Sequence, residues 1–289
     1  MLPATFTTSS SSMTEKKLIP VILDCDPGND DIFAILWAMI AHQHGYIDLQ
    51  GVTTLGGNVS ADLTYRNALR MRDFTGIDVP VGKDLRPVVG AGDASHIHGA
   101  DGIGGLSNLL PDVQEPSQTL DSVQMLIDAI QRQPGQLTIL VTGPMTNLAA
   151  AERKVPGILQ QTKYIIAMGG SFHAGGNVTP TSEFNIWYDS ASAKAVFDAT
   201  DHIVLIPLDV TQSFVFSPED TEQFLAEINH GYKADFMRKL TQAVIHTTRN
   251  FRETHYQNGF FVHDGHVVGF LLYPHLYRGT LVGVHVENQ

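Results

Sequence analysis

The stretch Val21-Ile22-Leu23-Asp24-Cys25-Asp26-Pro27-Gly28-Asn29-Asp30-Asp31 constrains this chain more than any other. An apolar run from Leu18 to Leu23, broken only by Pro20, reads as a buried strand, with the proline tolerable at its start. Four carboxylates then fall within eight residues, and Pro27-Gly28-Asn29 is turn chemistry. Ile32, Phe33, Ile35, Leu36, Met39 and Ile40 follow at helical spacing. The segment is therefore a strand, a tight acidic turn and a helix. In an open α/β sheet such a turn lies at the carboxyl end of a strand, where ligands bind.

Like charges so close together repel, and a hard divalent cation with oxygen ligands offsets them. Strand alternation puts Asp24 and Asp26 on one side and Cys25 on the other. A simpler account makes Asn29 or Asp30 a helix N-cap and Asp31 a first-turn carboxylate favoured by the helix dipole. That account leaves Asp24 and Asp26 unexplained, so a metal site is the better reading.

The 289 residues, 43% of them hydrophobic, can bury a large core and suit one large α/β domain as well as two small ones. A net charge of −12, from 30 acidic and 18 basic residues, argues against nonspecific binding to nucleic acid or an anionic membrane. It suits a small neutral substrate and a cation. No apolar run is long enough to span a bilayer. The single cysteine, Cys25, excludes an intrachain disulfide and fits a reducing compartment. With no basic neighbour to lower its pKa, Cys25 reads as a core residue. Residues 1–17 are Ser/Thr-rich and aperiodic, a disordered tail without the pattern of a secretory signal or, lacking arginine, of a transit peptide. Together these features point to a cytoplasmic protein.

Further strands are expected at residues 47–55, 79–81, 137–141, 164–168, 203–206 and 281–286. Helices are expected at 61–74, 121–132, 144–151, 189–197, 218–253 in two pieces split near Gly231, and 263–272. This alternation predicts one domain, 18–289, built on an open, mostly parallel, Rossmann-like sheet flanked by helices. The polar loops after the strands then gather at the C-terminal ends of the strands and line one pocket. They are the acidic turn, Gly56-Gly57-Asn58, the long His96-to-Leu106 loop, Thr142-Gly143-Pro144, the loop from 169 to 185, and His263-Asp264. Taken singly, several of these residues have ordinary readings. Asn177, Thr179 and Asn185 suit loop residues bonded to their own backbone, Asp264 suits a helix cap, and His263 suits a packed histidine. His96 and His98 could form a zinc pair, but no cysteine or third ligand accompanies them. Trp37 and Trp187 read as packing residues.

Taken in order, the segments resemble one family. Asp24-Cys25-Asp26-Pro27-Gly28-Asn29-Asp30-Asp31 resembles the signature of the inosine–uridine-preferring nucleoside hydrolases, calcium-dependent N-ribohydrolases. Gly56-Gly57-Asn58, His98-Gly99 with Asp101-Gly102, and Val141-Thr142-Gly143-Pro144-Met145-Thr146-Asn147-Leu148 are similar to further family segments in the family's order. So are Met168-Gly169-Gly170 with Gly176-Asn177-Val178-Thr179 and Ser182-Glu183-Phe184-Asn185, and lastly Val262-His263-Asp264.

The resemblance implies hydrolysis of the N-glycosidic bond of ribonucleosides to ribose and a free base, by a calcium-bound water that an aspartate activates. It implies that Asp26, Asp31 and Asp264, with the carbonyl of Thr142, bind Ca²⁺. Asp26 would also be the general base, and His263 the acid at the leaving base. Asp24 and Asp30 would support the metal and the ribose hydroxyls. Asn58, Asn177, Glu183 and Asn185 would hold the ribose, Met168 and Phe184 would belong to the same substrate loop, and His98 would lie beside the base. It also implies a homodimer or homotetramer.

The chain departs from the family pattern in three places. Gly265-His266 follows the His-Asp pair, Thr247 and Phe251 stand where tyrosines often approach the base, and the sequence ends at Gln289 where family members commonly continue with a further strand and helix, so that an exposed sheet edge is expected. Two other functions compete. A haloacid-dehalogenase-like phosphatase shares Asp-x-Asp after a first strand but needs a Gly-Asp-x-x-x-Asp pair that this chain lacks. A non-catalytic nucleoside- or ribose-binding protein would have no use for the intact Asp26, Asp31, Asp264 and His263 set.

Overall fold

The computed structural model describes residues 18–87, 90–113, 116–228, 231–251, 254–255 and 257–287, so the tail expected at 1–17 lies outside the described residues. The first apolar run forms β1 (Ile19–Cys25), the middle strand of a seven-stranded sheet. Every residue of β1 after Ile19 is buried. A parallel strand covered by helices on both faces needs apolar side chains on both. Val21, Leu23 and Cys25 enter one core, while Ile22 enters the other. The acidic turn leads into α1 (Asp31–Gln43), and the chain returns in β2 (Ile47–Thr54), parallel to β1, with Asp24 level with Thr53.

α2 (Ala61–Thr75), β3 (Val81–Lys83), the short α3 (Ser95–His98) and β4 (Leu120–Asp121) extend the sheet on that side. Then α4 (Ser122–Arg132), capped by the Asp121 carboxylate, carries the chain back to β5 (Thr138–Val141) on the other edge of β1. α5 (Thr146–Lys154), β6 (Tyr164–Met168), α6 (Phe184–Tyr188), α7 (Ser190–Ala199) and β7 (Ile203–Ile206) follow. The order is β4-β3-β2-β1-β5-β6-β7, with all pairs parallel. The order reverses at β1, and in such sheets ligands bind in the crevice beyond the strand ends at that reversal.

A second sheet of two antiparallel strands is built after α8 (Leu208–Thr211). It pairs β8 (Val215–Phe216) with β9 (Phe260–Phe261) around α9 (Pro218–Ile228) and α10 (Gly231–Phe251). Aromatic rings pin this ribbon to α1. Phe33 lies 5.6 Å from Phe216 and 5.2 Å from Phe260, centroid to centroid, and Trp37 lies 6.2 Å from Phe216. β9 runs on through Val262 to His263, Asp264 and α11 (Gly265–Leu272). The aromatic cluster thus sets where His263 and Asp264 stand relative to α1, and so to the acidic turn.

The parallel sheet agrees with the expected fold class, and the strands at 164–168 and 203–206 coincide with their expected bounds. Pro144 lies ahead of its helix, which begins at Thr146. The strand expected at 281–286 does not form: residues 277–287 have no assigned helix or strand, Leu281 is 100% exposed, and only Val286 is buried. Apolar alternation licenses a strand, but a strand also needs an edge to pair with, and this segment pairs with none among the described residues. The helix α6 and the ribbon β8–β9 were not expected, the ribbon because two-residue strands leave no periodicity. Phe33→Ala should cost about 3–5 kcal/mol of stability in urea unfolding. A loss under about 1 kcal/mol would show that the ring cluster does not anchor the ribbon.

Candidate active site

Asp24 is wholly buried at the end of β1. Its Oδ1 accepts hydrogen bonds from Thr53 Oγ1 at 2.6 Å and Asn147 Nδ2 at 2.8 Å, while its buried Oδ2 has no hydrogen-bond partner among the described residues. Burial pushes its carboxyl up to about 7, against the pull of those two donors and the charge of Arg86. Arg86 grips Asp84 through Nε at 2.7 Å and Nη2 at 2.8 Å, and donates to Asn147 Oδ1 at 2.7 Å and the Thr146 carbonyl at 2.9 Å. A guanidinium on its oxygen fixes which way the Asn147 amide faces, so its NH₂ is turned to Asp24.

Asp26 is equally buried. Its Oδ2 accepts from the Asn58 backbone N–H at 2.8 Å, and its Oδ1 has no hydrogen-bond partner among the described residues. The carboxylate fits because two neighbours are glycines. A Cβ on Gly57 would run into Oδ2, and one on Gly143 would stand 2.6 Å from Oδ1. Asp31 accepts from the Gly28 N–H and Asn58 Nδ2, each at 2.9 Å, and from the Thr142 hydroxyl at 2.7 Å. Burial and then the neighbouring carboxylates push the carboxyls of Asp26 and Asp264 well up. Burial also raises Asp31, although its hydrogen-bond donors oppose this.

Oxygens of Asp30, Asp31 and Asp264 lie within 4.8 Å of one another, a group that could hold a metal ion. Asp30 and Asp264 occupy the N-cap positions of α1 and α11, yet neither side chain caps its helix. The simpler reading of these two as caps therefore fails. The charges of Asp30 and Asp31 bear on Asp264, and a divalent cation would offset that repulsion and meet the bare oxygens.

The opposite wall comes from the end of β6 and from α6. Glu183 caps α6, accepting from the N–H groups of Asn185 at 2.9 Å, Gly170 at 2.8 Å and Ile186 at 3.2 Å, while burial raises its carboxyl. Asn185 Nδ2 reaches the Thr142 carbonyl at 2.7 Å and the Met168 carbonyl at 3.2 Å, so both strand ends are tied to this side chain. Asn177 and Thr179 are bonded locally, to the N–H groups of Phe184 and Ser182 at 2.9 Å each. Ordinary loop bonding thus accounts for Asn177 and Thr179 but not for Asn185. Phe184 is half-buried against Trp187 and Tyr188. Asp209 anchors the start of this loop by accepting from the N–H groups of Phe172, His173 and Ala174.

His98, on α3, accepts the Asn29 N–H at Nδ1, 3.0 Å away, and so is fastened to the acidic turn. Buried His263 has Nδ1 2.6 Å from Thr211 Oγ1. Gly265 is explained by packing, since the Trp37 ring fills the place of a side chain there. Thr247 bonds its own helix at the Ala243 carbonyl, and the side chain of Phe251 lies outside the described residues. Sequence reasoning missed Arg86, Thr53 and Thr211, which no spacing rule marks. Asn147 stood inside a quoted motif without a role, and Glu183 is not among the residue types that ordinarily mark a helix N-cap.

The molecule is thus an open parallel α/β sheet with buried carboxylates, amide donors and a histidine gathered at its switch point. The chain is 35% identical over 272 residues to the inosine-uridine preferring nucleoside hydrolase of Leishmania major, covering 92% of this chain and 83% of that one. It is 33% identical to the pyrimidine-specific ribonucleoside hydrolase RihA of Citrobacter koseri, covering 94% of this chain and 85% of that one. The solved structure of a purine-preferring ribonucleoside hydrolase from Gardnerella vaginalis superposes with a TM-score of 0.83 at 29% identity, covering 93% of this chain and 84% of that chain. The family described as inosine-uridine preferring nucleoside hydrolase matches residues 21–289, and the chain belongs to it. The phosphatase alternative falls with that match. No described helix is long and apolar enough to cross a membrane.

The raised carboxyls give a pH prediction. Asp24 titrates near 3.8 in an unfolded chain and at about 7 when folded. Between those values the folded state holds more protons, so stability falls as pH rises through that window. Protein in chelator should melt at a lower temperature at pH 8 than at pH 5, and added Ca²⁺ should raise melting more at pH 8. Equal melting at both pH values would contradict this account of the buried carboxyls.

Proposed function

We propose that this protein hydrolyses the N-glycosidic bond of ribonucleosides, releasing ribose and the free nucleobase, with Ca²⁺ as its metal. The observation that carries the reading is the group formed by the carboxylates of Asp30, Asp31 and Asp264, with the buried Asp26 carboxylate under the charge of Asp31 and Asp30. The donor set, carboxylates and a backbone carbonyl, suits a hard cation that tolerates irregular oxygen coordination. Asp26, Asp31 and Asp264, with the carbonyl of Thr142, would hold it, and Asp30 stands in the same group. When bound, the ion offsets the clustered negative charge and makes a nearby water more acidic.

The remaining work falls to the chain's own residues. Asp26 takes the proton of the attacking water. Water attacks C1′ opposite the base, so the first ribose formed has inverted anomeric configuration. As the C1′–N bond lengthens, positive character grows on the ribose. Asp24, Asp30, Asn58, Asn177, Glu183 and Asn185 supply oxygens and amides to its hydroxyls, with Met168 and Phe184 in the same substrate loop. His263 gives a proton to the departing base, and histidine suits that task near neutral pH. His98 lies on the base side. The three relatives above differ in the base that their names give, so the base preferred here is for the assay to decide. The family resemblance supports a homodimer or homotetramer, and the single buried cysteine suits the cytoplasm.

The test is ribose release from a panel of purine and pyrimidine ribonucleosides, with and without chelator, for wild type and Asp26→Ala. Wild type should release ribose, Ca²⁺ removal should abolish release, and Asp26→Ala should lower kcat by about 10³-fold or more. Folded, calcium-loaded protein that binds ribosides without turnover would instead support a non-catalytic binding protein.

A further inference from the structure

Two segments far apart in sequence meet at one end of the β8–β9 ribbon. Val215 pairs with Phe261, so Thr211, the last residue of α8, and His263, just beyond β9, fall at the same end. Thr211 is wholly buried, and its Oγ1 stands 2.6 Å from His263 Nδ1. The Phe261 ring packs against the imidazole at a centroid distance of 5.7 Å. The imidazole torsion is broad, and turning the ring over would exchange Nδ1 for a carbon. A hydroxyl on a fixed backbone selects one orientation. It also sets which ring nitrogen faces away from Thr211.

We propose that Thr211 is a positioning residue for His263: its hydroxyl occupies Nδ1 so that Nε2 serves the leaving nucleobase. The inference deepens the hydrolase reading and rests on it. In the step served, the C1′–N bond breaks and its electron pair leaves with the base. His263 enters the step as the imidazolium, its Nδ1–H donating to Thr211 Oγ1, and its Nε2 proton passes to the base nitrogen to leave the neutral imidazole. The water oxygen bonds to C1′ and its proton passes to Asp26. Thr211 acts only through His263, so its contribution depends on how much the leaving group needs a proton. A natural nucleobase needs one badly, whereas 4-nitrophenolate leaves without it.

The experiment compares Thr211→Val and Thr211→Ser with wild type on the preferred ribonucleoside and on 4-nitrophenyl β-ribofuranoside. Valine keeps the shape and removes the hydroxyl, and serine keeps the hydroxyl. Thr211→Val should lose about 10- to 100-fold in kcat on the nucleoside, with KM within about twofold, and less than about threefold on the nitrophenyl riboside. Thr211→Ser should stay within about threefold of wild type on both. Equal losses of Thr211→Val on the two substrates would assign Thr211 a purely structural role and overturn the proposal, as would no loss on the nucleoside. Should circular dichroism show that Thr211→Val does not fold, Thr211→Ala against Thr211→Ser carries the same comparison. Wild type releasing ribose from neither substrate would defeat the hydrolase reading itself. Release by wild type with no leaving-group dependence in the variants would defeat only the role of Thr211.

Discussion

The structure depends on keeping several carboxylates out of water at one point. Asp24, Asp26, Asp31 and Asp264 are all buried where the middle strand of the sheet ends. Burying charge is unfavourable unless it is met by donors, protons or a cation. The chain meets part of the demand with its own groups: the Asn58 N–H and amide, the hydroxyls of Thr53 and Thr142, the Gly28 N–H and the Asn147 amide. It leaves one oxygen each of Asp24 and Asp26 unmet. That remainder distinguishes a site prepared for a positive ligand from a self-satisfied polar core.

The fold supplies this concentration by topology. β1 lies between β2 and β5, and the turns that follow these three strands bring Asp26, Asn58 and Thr142 together. The fourth carboxylate comes from elsewhere. Asp264 is delivered by the small ribbon, which is held by Phe33, Trp37, Phe216 and Phe260. An aromatic cluster with no polar role thus decides the distance between the metal-competent residues of α1 and of α11. Arg86 acts similarly from the other side, through Asn147 to Asp24.

Much of this was legible in the sequence because it follows from local pattern. Buried parallel strands read as apolar runs, and the strands at 164–168 and 203–206 end where their apolar runs end. The acidic turn could be read because four carboxylates after an apolar strand have few explanations. Pairing was not legible. Residues 281–286 carry a strand's pattern and form none, while two-residue strands formed at 215–216 and 260–261 with almost no pattern. For the same reason, Thr211 and Arg86 stayed hidden. Each acts on the site through a residue 52 or 61 positions away, and neither residue type announces such a partner. Nor does the residue type of Asn177 reveal that its side-chain oxygen accepts the Phe184 N–H, so that a ligand there would meet its amide group.

Gly57 and Gly143 contribute no atom to any reaction, yet the space they leave empty is where the Asp26 carboxylate rests. The site is therefore specified by volume as well as by functional groups. Transplanting it onto another α/β sheet would require carrying over the absence of two side chains, on the turns after the second and fifth strands, along with the aspartates. In a library of random variants, small substitutions at these two turns should cluster with the losses at Asp26.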